Sequence, residues 1–229
     1  MATEFTAIDL ETANPDAFSI CQIGIARYRD GELADEWMAY IDPEARFNPD
    51  NIAVHGITEA AVRGCPKLTE VSAGLHEMLD DRIVVSHSQF DRIALEQAFD
   101  RQEIPRLQCT WLDSTLVARR AWEGFARRGF GLENLCRILG YRYQRHDALG
   151  DAKAAGVVVL AAIDQTGIGL HRWLQQVELP IDEGPRLPIR ALGAVPASDD
   201  VEPRRAVSPT NRLFNPEVLR LLSERDSGS

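Results

Sequence analysis

Little in these 229 residues points away from an ordinary globular chain. Cysteine is sparse: Cys21, Cys65, Cys109 and Cys136 lie far apart and form no CxxC pair, which argues against a disulfide framework or a zinc site. No apolar run approaches the roughly 20 residues that a membrane span needs. The opening MATEFTAIDLET has neither a basic stretch nor an apolar core before a cleavage site, so no signal peptide is expected. Reduced thiols, no membrane partner and a cytoplasmic location are the matching expectations. There is no internal repeat. Positive charge is also short, with 25 Lys and Arg against 35 Asp and Glu, a formal net charge of −10. That balance suits a nucleic-acid enzyme poorly, because phosphate contacts favour basic proteins. It suits one better if part of the acidic excess holds divalent cations that bridge to phosphate.

Hydrophobic residues at 45% and charged residues at 26% fit one well-buried domain with some length left over. Phe5 to Leu10 is a short apolar run that meets Asp9 and Glu11. Ile20 to Tyr28 and Glu32 to Ile41 read as two further strands joined by a turn at Asp30-Gly31. Leu68 to Leu79 has helical spacing, with Leu68, Val71, Leu75 and Leu79 on one face. Ile83 to Val85 is a buried strand, and Phe90 to Phe99 a helix with Ile93, Ala94 and Ala98 turned inward. Thr110 to Leu112 reads as a strand leading, through a cap at Asp113 or Ser114, into a helix ending at Ala121. Leu132 to Leu139 is a helix stopped by Gly140, and the last strong helix runs from Asp147 or Ala148 to Ile163. A meander followed by alternating helices and strands implies an α/β fold, a mixed sheet flanked by helices. Seven of the twelve prolines lie from Pro180 onward. The expected organisation is therefore a domain over 1–170 and a Pro-rich tail over 171–229, largely disordered, with a short helix at 216–225.

Asp9 and Glu11 stand two apart on a strand, so both side chains share one face. Carboxylates that close repel unless a cation lies between them. Asp91 falls in the first turn of a helix, where an acid suits the dipole. His146 sits in the loop before a helix that carries Asp151. Each group taken singly has a plain reading: an acidic strand end, a helix-start acid, a surface histidine beside a capping aspartate. Together, four carboxylates and one histidine, each at a strand end or helix start, are the ligand set for two hard divalent cations, Mg²⁺ or Mn²⁺, plus one general base. Such a pair of ions holds the attacking and leaving oxygens of an in-line phosphoryl displacement. A histidine with a pKa near ~6.5 takes a proton from water near neutrality.

These residues resemble three ordered motifs of the DEDDh exonuclease family, especially the proofreading (epsilon) subunits of bacterial DNA polymerase III. Ala7-Ile8-Asp9-Leu10-Glu11-Thr12 is similar to the first motif and His87 through Asp91 to the second. His146 to Asp151 is similar to the third, with the H-x4-D spacing of the histidine branch. Val54-His55-Gly56-Ile57-Thr58 resembles a segment of the polymerase-associated members. The resemblance spans about residues 5–165. It implies a ribonuclease-H-like fold and release of nucleoside 5′-monophosphates from a 3′ end. It further implies that Asp9, Glu11, Asp91 and Asp151 hold the metals, with His146 as the base and Glu11 helping to place the water. Ala13-Asn14-Pro15 and Ser88 depart from the family pattern, which bears on the grip on the terminal nucleotide rather than on the ligands.

By the same resemblance Leu10 and Thr12 touch the terminal nucleotide. His55 and Phe90 are candidates to stack on bases, the alternative for Phe90 being a place in the core. Arg119-Arg120 and Arg127-Arg128 bracket Trp122 and Phe125 and either guide a single strand or form a solvated face. Gln176 to Ile181 resembles the short peptides that bind sliding clamps. The expected substrate is a single-stranded DNA 3′ end, with RNA open. A DNA polymerase or clamp is the candidate partner, in proofreading or repair. The rival from another class is a catalytically silent nucleic-acid or clamp adaptor.

Overall fold

The computed structural model describes residues 3–123, 129–181 and 184–192. Five strands form one sheet in the order β3-β2-β1-β4-β5. The strands β1 (Glu4–Thr12), β2 (Ile20–Arg29) and β3 (Glu32–Tyr40) make an antiparallel meander. The turn between β2 and β3 places Asp30 and Gly31 at φ 52° and 88°, the left-handed pair that a tight hairpin requires and that Asp-Gly supplies at low cost. β4 (Ile83–Ser86) then joins β1 in parallel, and β5 (Thr110–Asp113) joins β4.

The β1–β4 seam is short. Thr6 pairs with Val84 and Ala7 with Val85, and no further register pair follows. Beyond Ala7 the two strands part, so Asp9 and Glu11 stand on a strand end that has β2 on one side only.

Helices cover both faces. α1 (Pro49–His55) starts from Asn48, whose side chain accepts from the Asp50 N–H at 2.8 Å, and stops at Gly56 in a left-handed cap. α2 (Glu59–Val62) is one turn. α3 (Leu68–Leu79) buries Leu68, Val71, Leu75 and Leu79, the stripe its spacing predicts. α4 (Phe90–Arg101) follows β4, α5 (Ser114–Ala121) follows β5, and α6 (Leu132–Leu139) ends on Gly140. α7 (Ala148–Thr166) is the central helix. Its alanines and valines are nearly all buried, and the Tyr28 hydroxyl donates to the Lys153 carbonyl at 2.9 Å.

Two expectations need correction. Ile93 does not face inward: it is 42% exposed, because α4 buries Asp91, Ala94, Leu95, Ala98 and Phe99 on the opposite side. Phe90, for which the core was the alternative, is 45% exposed. α1, α2 and a further helix, α8 (Leu170–Gln176), were not anticipated. α8 buries Leu170 and Trp173. Residues 184–192 then run back over the core. The Leu187 N–H donates to the Ala121 carbonyl at 2.8 Å and the Leu187 carbonyl accepts from Glu123 at 2.9 Å. Gln165, buried on α7, accepts from Trp122 Nε1 and from the Arg190 N–H, and donates to the Arg190 carbonyl. Phe125, Arg127 and Arg128, and the tail helix at 216–225, lie outside the described residues. Among the described residues no single helix is long and apolar enough to cross a membrane.

Candidate active site

β1 carries Asp9 and Glu11 to the parting of the strands, and α7 brings Asp151 in from above. One carboxylate oxygen from each of these three lies within 4.8 Å of the others. Asp91 completes the group from the first turn of α4. It is buried, and its Oδ1 accepts from the Leu10 N–H at 3.1 Å. That amide points away from β2, where a continuing β4 would have met it, so Asp91 stands in for the missing strand.

Burial first, and then the neighbouring carboxyls, raise three members of this group. Burial first, then Asp91, Asp151, Glu11 and Asp147, push Asp9 well above the usual carboxylate range. Burial lifts Asp91 to about 7, against the opposing pull of the Leu10 amide. Burial likewise lifts Asp151 to about 6, while the backbone amides of His146 and Asp147 pull it down. The Asp151 Oδ2 is buried with no hydrogen-bond partner among the described residues. Converging oxygens, an orphaned carboxylate atom and raised affinity for protons all describe a set of hard donors that a divalent cation would satisfy.

His146 is partly exposed, in the loop entering α7, with a left-handed backbone at φ 56°. Arg145 Nη2 lies 3.5 Å from its Nε2, and Arg145 is itself held by Glu133 at 2.9 Å. Three groups outside the expected ligand set fix this loop, and two of them, Gln22 and Gly24, carried no motif signal. Gln22, buried on β2, donates from Nε2 to Asp147 Oδ1 at 3.1 Å and accepts the Ala148 N–H at 3.0 Å. Asp147 caps α7 by accepting from Gly150 at 3.1 Å. Gly24, opposite Asp9 in the sheet register, lets the first turn of α7 sit directly on β2. A Cβ there would fall 2.2 Å from the Ala148 carbonyl carbon and the Leu149 nitrogen. A polar amide and a glycine inside a buried strand were the available signals.

The second motif is braced in the same way. Ser88 holds φ 101°, and its N–H donates to Asp113 Oδ1 at 3.2 Å, the atom that also caps α5 through Thr115 at 2.7 Å. His87 Nε2 donates to the Phe130 carbonyl at 2.9 Å and Nδ1 meets Ser114 Oγ at 2.8 Å. Burial lowers the His87 pKa, so it is a neutral tie rather than a charge.

The remaining candidates do not all reach an open surface. Leu10 and Thr12 are buried. His55 is 3% exposed, accepts the Ile57 N–H on Nδ1 at 2.9 Å and contacts the Thr12 carbonyl through Nε2 at 3.1 Å. It supports the end of β1 from beneath. Asn51 donates to the same carbonyl at 3.0 Å. Phe90 is exposed, on the outer side of α4 next to Asp91.

The likeness to known proteins is extensive. Over 159 residues the chain is 26% identical to the PolC-type DNA polymerase III of Oceanobacillus iheyensis, covering 68% of this chain and 11% of that one. Across the first curated relatives the chain spans only 11% to 28% of their length. Among solved structures, Exonuclease X in complex with 5′ overhanging duplex DNA aligns with a TM-score of 0.61 at 21% identity, over 76% of this chain and 99% of that one. The nuclease domain of 3′hExo, a DEDDh family member bound to rAMP, aligns with a TM-score of 0.59 at 18% identity, over 71% and 92%. These likenesses establish the ribonuclease-H-like mixed sheet flanked by helices. A model of the RNase_T exonuclease family matches residues 6–158, a span that opens on β1 and closes on α7, and the chain belongs to that family.

Proposed function

We propose that this chain is a 3′→5′ exonuclease that shortens single-stranded DNA from its 3′ end and releases nucleoside 5′-monophosphates. The observation that carries the reading is the convergence of Asp9, Glu11 and Asp151 oxygens within 4.8 Å, with Asp91 on their buried side and the backbone amide of His146 against Asp151. Asp9, Glu11, Asp91 and Asp151 would hold two divalent cations, Mg²⁺ or Mn²⁺, whose charge would activate a water and neutralise the phosphodiester. His146 accepts the proton of the attacking water, and its exposure keeps it in reach of solvent. Glu11 orients that water. Leu10 and Thr12, backed by Asn51 and His55, form the floor under the terminal nucleotide, and Phe90 offers a ring beside it. Residues 1–170 carry this chemistry. The stretch just beyond α8 is the region for partner contacts, where Leu179 and Ile181 of the clamp-like peptide are exposed. The PolC relatives support a setting with a DNA polymerase, in proofreading or repair in the cytoplasm.

The test is digestion of 5′-labelled single-stranded DNA and RNA of equal sequence, with Mg²⁺ or Mn²⁺, by wild type, Asp151→Asn and His146→Ala. A ladder shortening from the 3′ end and lost in both variants is the expected result. The faster substrate assigns DNA or RNA. Tight binding with no ladder on either would replace the enzyme reading with a silent adaptor.

A further inference from the structure

We propose that the outer stripe of α4, ending at the Arg101–Phe18 pair, is the track for the nucleotides upstream of the 3′ terminus. The inference rests on the exonuclease reading and adds the path of the strand. On α4, Phe90, Ile93, Gln97 and Arg101 recur at helical spacing and are all exposed. The stripe begins beside the carboxylates, because Asp91, the next residue after Phe90, reaches the Leu10 amide. It ends where the Arg101 guanidinium lies 4.3 Å over the Phe18 ring, in the loop between β1 and β2. From Phe90 to Arg101 the twelve residues of α4 span about 16 Å, room for a short run of extended strand.

The chemistry of the stripe selects its occupant. Phe90 and Ile93 are large apolar side chains left in water, at 45% and 42% exposure, next to a polar site. Nucleobases stack on such surfaces without regard to sequence. The charges around the stripe are already matched: Arg92 pairs with Glu96, and Arg106 with Asp100 and Glu96. Arg101 forms no ion pair among the described residues, so its charge is open to a phosphate while its plane, stacked on Phe18, is held flat. A chain with a net charge of −10 repels a polyanion over much of its surface. A strand whose 3′ end sits at the carboxylates must leave across adjoining surface. This stripe combines stacking groups with an uncompensated cation.

The experiment compares a dinucleotide with an oligothymidylate of about eight nucleotides as substrates for wild type, Arg101→Ala and Ile93→Ser. Both variants change exposed side chains and should fold. The expected result is a loss of about fivefold or more in kcat/KM on the longer substrate, with dinucleotide turnover within about twofold of wild type. For Arg101→Ala, the salt dependence of binding should also flatten by about 0.7 in log–log slope, one phosphate contact on a single strand. An equal loss on both substrates, or none on either, overturns the track. If wild type cuts nothing, the exonuclease reading fails by that result alone. Fluorescence anisotropy of the labelled oligonucleotide with Ca²⁺ then decides the track: weaker binding by Arg101→Ala supports it, and unchanged or absent binding overturns it.

Discussion

Replacing Gly24 by alanine should damage the active site without touching any residue in it. The added methyl would lie 2.2 Å from two backbone atoms of α7, where ordinary contact begins near 3.4 Å. Neither neighbour is a side chain that can swing aside. Either α7 retreats by about 1.2 Å or β2 bends by as much. Overpacking of this kind costs about 1–3 kcal/mol, and for a chain of this size each kcal/mol lowers Tm by roughly 2–4 °C. The larger effect should be on rate. Gly24 faces Asp9 in the sheet, and α7 carries Asp151, so the retreat opens the space between the carboxylates. A displacement near 1 Å costs on the order of 10²-fold in turnover, about 2.7 kcal/mol in the barrier. The assay pairs thermal melting with digestion of a 5′-labelled oligonucleotide well below Tm. Gly74→Ala serves as control, since a methyl there meets nothing and sits in the middle of α3. A Gly24→Ala protein with wild-type rate would refute the claim that this contact sets the site.

Three further outcomes are expected. The metal-free protein should lose stability as pH rises from about 5 to about 7.5. The folded Asp91 and Asp151 bind protons with pKa about 7 and about 6, above the ordinary 3.8, so the native state holds more protons than the unfolded one across that window and stability falls with pH. The combined effect is on the order of a few kcal/mol, and Mg²⁺ should restore it at the alkaline end. Melting in EDTA that is flat or rises over this range would contradict the burial and crowding described. Gln22→Ala removes both hydrogen bonds that hold the loop before α7, so kcat should fall more than tenfold with Tm lower by a few degrees, as roughly 1–3 kcal/mol of unsatisfied groups implies. A kcat equal to wild type counts against the clip. Gln165→Ala strands the Trp122 N–H and releases Arg190, which should lower Tm by several degrees for about 1–3 kcal/mol. Melting unchanged by that substitution would mean residues 184–192 do not brace the core.

The regular elements were legible wherever apolar spacing was strong. α3 and α6 run between the residues their patterns mark, and α7 continues only three residues past Ile163. α1 was hidden because its one buried residue is a histidine and Val54 faces water, so no apolar stripe announces it. α8 was hidden because only Leu170 and Trp173 anchor it, at the edge of a proline-rich stretch. Ile93 shows the opposite failure. A large apolar residue was assigned to the core by type, while the helix's buried side had already been filled by two alanines, Leu95 and Phe99. For the candidate site, motif spacing names the carboxylates that the fold brings together. It is silent on Gln22, on Gly24 and on the tie from Asp113 to Ser88, contacts that join residues 25 to 126 apart in sequence.

The short β1–β4 seam has a consequence for how this fold ages. Asp91 both faces the other carboxylates and satisfies the amide that the parted strand leaves bare. Its loss would expose a buried N–H to no partner, whereas Asp151 and His146 can be exchanged with far less harm to the sheet. Descendants of such a chain that drift out of catalysis are therefore expected to shed the third motif early and to keep an acceptor, aspartate or asparagine, at position 91 long after it has any substrate to serve.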